Sequence, residues 1–155
     1  DEHGDAYFAL ESSSYGTTQL HASAAYADEI SLPIEVFPVI TFLSVEGEPI
    51  EDYTFVSEQE EADIIVHLAG PVVIPEGASI AVSTPHTYGE AEDVGYIGIN
   101  QMGVYETDIT TVAGEAPLTL LVMLPRATVL KVLYQGEEKI LDIYFPATEP
   151  ENPEF

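Results

Sequence analysis

Short alternations of apolar and polar residues, broken by Gly, Pro and acidic positions, run along most of the chain. Thr18, Leu20, Ala22, Ala24 and Tyr26 alternate with Gln19, His21 and Ser23. A period of two puts one set of side chains on one face, which predicts a half-buried strand. Ile30, Leu32, Ile34 and Val36 continue the alternation through Pro33, and Val39 to Val45 is more continuously apolar. Pro33 and Pro38 cannot donate to a ladder, so this stretch belongs at an edge, a bulge or a strand switch.

Further along, Tyr53 and Phe55 share a face, and Ser57-Glu58-Gln59-Glu60 predicts one helical turn with a capping box. Ile64, Val66 and Leu68 then alternate with Asp63, Ile65 and His67. Pro75-Glu76-Gly77-Ala78 reads as a turn between Val72-Val73-Ile74 and a strand over 79–83. Residues 84–95 read as a long polar loop, followed by β-prone runs over 96–99, 104–112 and 118–124. Runs over 127–134 and 138–145 form a predicted hairpin around Gln135-Gly136-Glu137. The sum is nine or ten strands and no helix longer than a turn, an all-β fold of the two-sheet sandwich or jelly-roll kind. Residues 15–146 read as one β domain, with an N-terminal arm over 1–14 and a Pro/Glu-rich tail over 147–155.

Composition changes this picture through charge. The chain of 155 residues holds 28 Asp and Glu against 3 Lys and Arg, for a formal net charge of −25. The bases are Arg126, Lys131 and Lys139, so residues 1–125 have no internal cation. Such a surface excludes nucleic acid and anionic membranes as partners, since both need basic patches. No apolar run is long enough to span a bilayer as a helix. With no cysteine, there is no disulfide, thiolate metal site or thiol nucleophile. The first residue is Asp1, with no initiator Met, as expected of a processed chain or an excised domain.

Carboxylates held together without counter-charges repel one another, so a cation is expected among them. The candidate ligands are Glu90, Glu92 and Asp93 in a Gly-flanked loop, Glu106 and Asp108 in a strand, and Glu58, Glu60, Glu61 and Asp63 around a turn. Glu106 and Asp108 are two apart, so they point the same way at about 7 Å spacing. Calcium takes six to eight oxygens from adaptable loops and is the expected ion, although no EF-hand loop is present. The Asp1-Glu2-His3 start could wrap Cu(II) or Ni(II) if Asp1 were the true terminus. His21, His67 and His86 lack zinc-like spacing. No G-x-S-x-G elbow, P-loop or G-x-G-x-x-G is present, so no enzyme activity is expected.

The arm carries the β-prone run Ala6-Tyr7-Phe8-Ala9-Leu10, followed by Ser12-Ser13-Ser14 and Gly16 as a hinge. Such a segment can pair within its own domain or add as a strand to a neighbour's sheet edge, with Tyr7, Phe8, Ala9 and Leu10 as the subunit contact. Head-to-tail addition does not close, so it would build a homopolymer. In plan, the arm, the all-β body and the acidic loops resemble secreted β-sandwich subunits of extracellular filaments, of the cannula-like and donor-strand pilus types. That resemblance implies a structural subunit of a filament, tubule or surface layer at the cell surface, held by strand exchange and calcium. The rival expectation is a calcium-containing carbohydrate-binding or adhesin module that uses Tyr88, Tyr96 and Tyr105 as a stacking platform. A third is a secreted domain whose acidity reflects only a saline or acidic habitat.

Overall fold

The structure, a computed structural model, describes residues 4, 7, 9–56, 61–85 and 95–146. Among the described residues there are twelve strands and no helix. In chain order these are β1 (Gly16–Ala22), β2 (Ile30–Val36), β3 (Val39–Leu43), β4 (Pro49–Ile50), β5 (Asp52–Thr54) and β6 (Glu61–Ala69). They continue with β7 (Ser79–Ser83), β8 (Tyr96–Ile99), β9 (Glu106–Thr110), β10 (Glu115–Leu124), β11 (Thr128–Tyr134) and β12 (Glu137–Tyr144). The all-β, sandwich-like expectation holds. The helical turn expected at Ser57–Glu60, most of the loop at 84–95 and the tail over 147–155 lie outside the described residues.

Two five-stranded sheets form, in the orders β4-β3-β6-β10-β8 and β5-β12-β11-β7-β9. Neighbouring strands are antiparallel, except that β5 runs parallel to β12. The alternation read from the sequence sets the inner faces. Ile40 and Phe42 of β3, Ile64, Val66 and Leu68 of β6, and Leu118 and Leu120 of β10 are buried. They face Ile80 and Val82 of β7, Leu130 and Val132 of β11, and Leu141 and Ile143 of β12, all buried. Phe55 seals one side, its ring stacked on Phe145 with centroids 5.1 Å apart, while its N–H donates to the Tyr144 carbonyl at 2.9 Å. This interior is the hydrophobic term that holds the fold against the chain entropy of ordering it.

Three details depart from a simple reading of the strands. Glu51 separates β4 from β5, and the two short strands lie in different sheets, so the chain changes sheet there. Val72-Val73-Ile74 is irregular and not a strand. Pro71 and Pro75 flank it and cannot donate to a ladder, and the Val72 carbonyl is taken by the Tyr15 hydroxyl at 2.9 Å. Gly95 lies so close to the Arg126 carbonyl that an added Cβ would collide with backbone. It donates its N–H to the Ala127 carbonyl at 3.0 Å, which anchors the chain just before β8.

Among the described residues, the third sheet consists of β1 and β2. Its loop is closed by an Ala27 N–H to Ala24 carbonyl bond of 3.2 Å, with Tyr26 at φ 67°. Every buried core side chain among the described residues lies between Ile40 and Ile143, so this hairpin contributes none. Pro38 sits at the point where the chain leaves β2 and enters β3 of the sandwich, a strand switch, one of the three placements expected for this stretch.

Candidate assembly surface and acidic sites

The register of the β1–β2 hairpin sorts its side chains by face. Thr18 pairs with Ile34, Leu20 with Leu32 and Ala22 with Ile30, which makes one face apolar. Thr17 pairs with Glu35, Gln19 with Pro33 and His21 with Ser31, which makes the other polar. Cross-strand contacts fix the polar face: Ser31 Oγ donates to Gln19 Oε1 at 2.7 Å, and His21 Nδ1 lies 3.0 Å from Glu29 Oε1. Among the described residues, the apolar face is largely exposed at its far end. Ile30 is 71% and Leu32 57% exposed, and in β1, where the pattern predicted a half-buried strand, Leu20 alone is partly buried.

At its root the hairpin is held by Tyr15. The Tyr15 ring meets Tyr134 edge-on at 6.3 Å, and its hydroxyl packs against Gly70 on the way to the Val72 carbonyl. A Cβ at position 70 would stand 2.7 Å from that hydroxyl, so glycine is what lets the ring approach. Partial burial, with Tyr134 second, raises the Tyr15 phenol above its usual 10.0. Leu10, Glu11 and Ser12 lie across the root of the apolar face, lining a cavity of about 310 Å³ with Leu20, Ile34, Val36 and Pro71. Of the expected contact residues, Tyr7 is 86% and Leu10 56% exposed, Ala9 is also exposed, and Phe8 lies outside the described residues.

The acidic candidates are spread over both sheets. Glu61 and Asp63 are exposed on β6, in the sheet centred on β6, and Asp63 accepts from Thr119 Oγ1 at 2.6 Å. Glu106 and Asp108 are exposed on β9, the edge strand of the other sheet, with Thr107 between them and Ile109 after them turned inward. The structure therefore does not bring these two pairs together. Glu58, Glu60, Glu90, Glu92 and Asp93 lie outside the described residues. Among the described residues no three His, Asp or Glu side chains converge as a metal site would require.

Internal neutralisation is slight. Lys131 Nζ lies 3.4 Å from Glu138 and Lys139 Nζ 3.6 Å from Glu51, and both pairs are substantially exposed. Exposed pairs of this kind contribute little. Tyr96 and Tyr105 meet each other at 6.3 Å with their planes inclined by 63°, so the two rings do not make a flat platform. Tyr88 lies outside the described residues. No helix among the described residues is long and apolar enough to cross a membrane.

The class defined by this geometry is a two-sheet β-sandwich bearing a protruding amphipathic hairpin. No protein-family profile and no curated protein matches the chain. Among solved structures, domains 1–6 of the surface layer protein SbsC are similar at TM-score 0.45 and 12% identity, over 88% of this chain and 17% of that one. A structure of SbsC domains 4 and 5 is similar at TM-score 0.42 and 13% identity, over 86% of this chain and 66% of that one. A chimeric titin Z1Z2 tandem is similar at TM-score 0.37 and 15% identity, over 86% and 65% respectively. The chain thus spans about a sixth of the longest of these, 17%. Similarity at this level assigns neither family nor role.

Proposed function

We propose that the chain is a structural subunit of an extracellular filament, tubule or surface layer, assembled by strand addition and divalent cations. The observation that carries this reading is the hairpin, an amphipathic two-stranded sheet whose outer apolar residues Ile30 and Leu32 are largely exposed. Two strands alone are marginal in water, and a third strand or a second layer is what such a sheet lacks. The arm segment Tyr7–Leu10 is the candidate donor. Its Tyr7 and Leu10 are exposed, so addition to a neighbour's sheet would bury apolar surface on both sides.

Cations belong to the reading because of the charge. A subunit of net charge −25 repels its copies, and three bases cannot offset 28 acids. Calcium bound by Glu106 and Asp108, by Glu61 and Asp63, or by the acids at 58–60 and 90–93 would lower that repulsion within or between subunits. The role is structural and non-enzymatic.

Electron microscopy and sedimentation of the full chain, with calcium and with excess chelator, test it. Polymers that form with calcium and dissolve on chelation are expected, as is their loss on deleting residues 1–11. Polymers indifferent to chelator and free of bound metal would remove the cation role. Assembly that persists without residues 1–11 would remove the donor arm. Specific capture on a glycan array, lost in a Tyr96→Ala variant, would instead favour the carbohydrate-binding alternative.

A further inference from the structure

The inner faces of β7 and β11 are apolar except at one end, where each strand brings a threonine into the interior. On β7 and the residue after it the inward series is Ile80, Val82 and Thr84, and on β11 it is Thr128, Leu130, Val132 and Tyr134, all buried. Thr84 is 7% and Thr128 8% exposed, and among the described residues neither hydroxyl has a hydrogen-bond partner. Thr111, the other buried polar side chain among the described residues, does have one: its hydroxyl donates to the Pro75 carbonyl at 3.2 Å. The main chain at this end is paired, with the Thr84 N–H on the Tyr105 carbonyl at 2.9 Å and Thr128 in register with Ile143. The two hydroxyls are therefore the unmatched polar groups of an otherwise satisfied region.

Register brings them close. Lys131 stands opposite Ser83 in an antiparallel pair, so continuing by one residue sets Leu130 opposite Thr84. Thr128, two residues from Leu130, is then the diagonal neighbour of Thr84 on the same face. Diagonal neighbours have Cβ atoms about 7 Å apart, and two hydroxyls turned toward each other close that to roughly 4–5 Å. Such a gap is too long for a direct hydrogen bond and suits one water held at about 2.8 Å from each oxygen. From this we infer that Thr84 and Thr128 form a binding site for a single internal water, which bridges their hydroxyls between the sheets. The inference is independent of how the chain assembles.

The chemistry of the pair selects the ligand. Both hydroxyls are neutral, and among the described residues no three His, Asp or Glu side chains converge, so an ion placed here would be buried without counter-charge. Both oxygens are sealed from solvent, so a larger molecule cannot reach them. Water can donate to one hydroxyl while accepting from the other, which offsets the cost of burying the two unpaired. The β7–β11 ladder ends at Lys131 and Ser83, so the water ties the two strands one step beyond their last main-chain pairing.

Water-selective nuclear Overhauser measurements on the full chain, read at the Thr84 and Thr128 methyl groups, test the inference. Cross-peaks from one long-lived water to both methyls are expected in the wild type. Chemical denaturation of valine variants gives a second readout, because valine keeps the shape of threonine and removes the hydroxyl. Thr84→Val and Thr128→Val each leave the water one partner short, and each is expected to raise the unfolding equilibrium constant about tenfold. The double variant should fall well short of the roughly hundredfold that two independent losses would give. Two dry hydroxyls would behave in the opposite way: each valine would lower the constant, and the two effects would multiply. That result overturns the inference, as does a long-lived water at one methyl alone or at neither. The wild-type spectrum decides the matter even where a variant fails to fold.

Discussion

β6 with β10 and β1 with β2 are both antiparallel pairs written in the same alternating code. In the first, Ile64 stands opposite Leu118 and Val66 opposite Ala116, and all four are buried. In the second, Leu20 stands opposite Leu32 and Ala22 opposite Ile30, and Ile30 and Leu32 remain in water. Alternation specifies which residues share a face. It does not specify what that face meets. The sandwich strands find a second sheet in their own chain, whereas the hairpin leaves the sandwich at Pro38 and Tyr15 and, among the described residues, meets Leu10 to Ser12 and Pro71 at its root.

The comparison is sharpest under truncation. Leu120→Ala, in the middle of β10, should destabilise the monomer by about 3–4 kcal/mol, because the sealed interior cannot collapse onto the hole. Leu32→Ala should cost less than about 0.5 kcal/mol in the same chemical denaturation, because its surface is largely in water already. Equal losses at the two positions would mean that the hairpin is packed as tightly as the sandwich.

Gly95→Ala should follow, at about 2–3 kcal/mol, since backbone and not a flexible side chain occupies the space its Cβ would take. Its effect should fall on the sandwich alone, leaving hydrogen exchange in β1 and β2 unchanged.

Smaller, and specific to the junction, is Tyr15→Phe. Removing the hydroxyl bound to the Val72 carbonyl should cost about 1 kcal/mol and speed hydrogen exchange in β1 more than in β10. Because the Tyr15 phenol is raised when folded, its contribution is complete below the unfolded value near 10.0 and is lost as pH rises through the higher folded value. The stability gap between wild type and Tyr15→Phe should therefore close in alkaline denaturation series above about pH 10. A gap that widened there would contradict this assignment of the Tyr15 environment.

Much of the fold was legible in the residues because strand burial has a period of two. The runs at 64–68, 79–83, 118–124 and 127–145 became β6, β7, β10, β11 and β12, and Gln135-Gly136 takes the two positive-φ positions of the expected hairpin turn. The prolines placed the strand switch. The apolar run at 72–74 misled, because its form is set by Pro71, Pro75 and a tyrosine far away in sequence. The acidic candidates were legible as clusters, but spacing along a chain carries no information on convergence between sheets. Glu61 and Asp63 ended on one sheet and Glu106 and Asp108 on the other.

By itself, then, the sequence determined the all-β class, the composition of the inner faces and a charge of −25 with its three bases confined to 126–139. These are local or additive properties, set by side-chain periodicity, by proline's missing donor and by simple summation. Only the tertiary structure decided that β1 and β2 stand apart from the core, that Tyr15 pins their root, and that Ile30 and Leu32 are largely exposed. Those outcomes depend on which surfaces of the same chain can reach one another, and short-range pattern does not encode that.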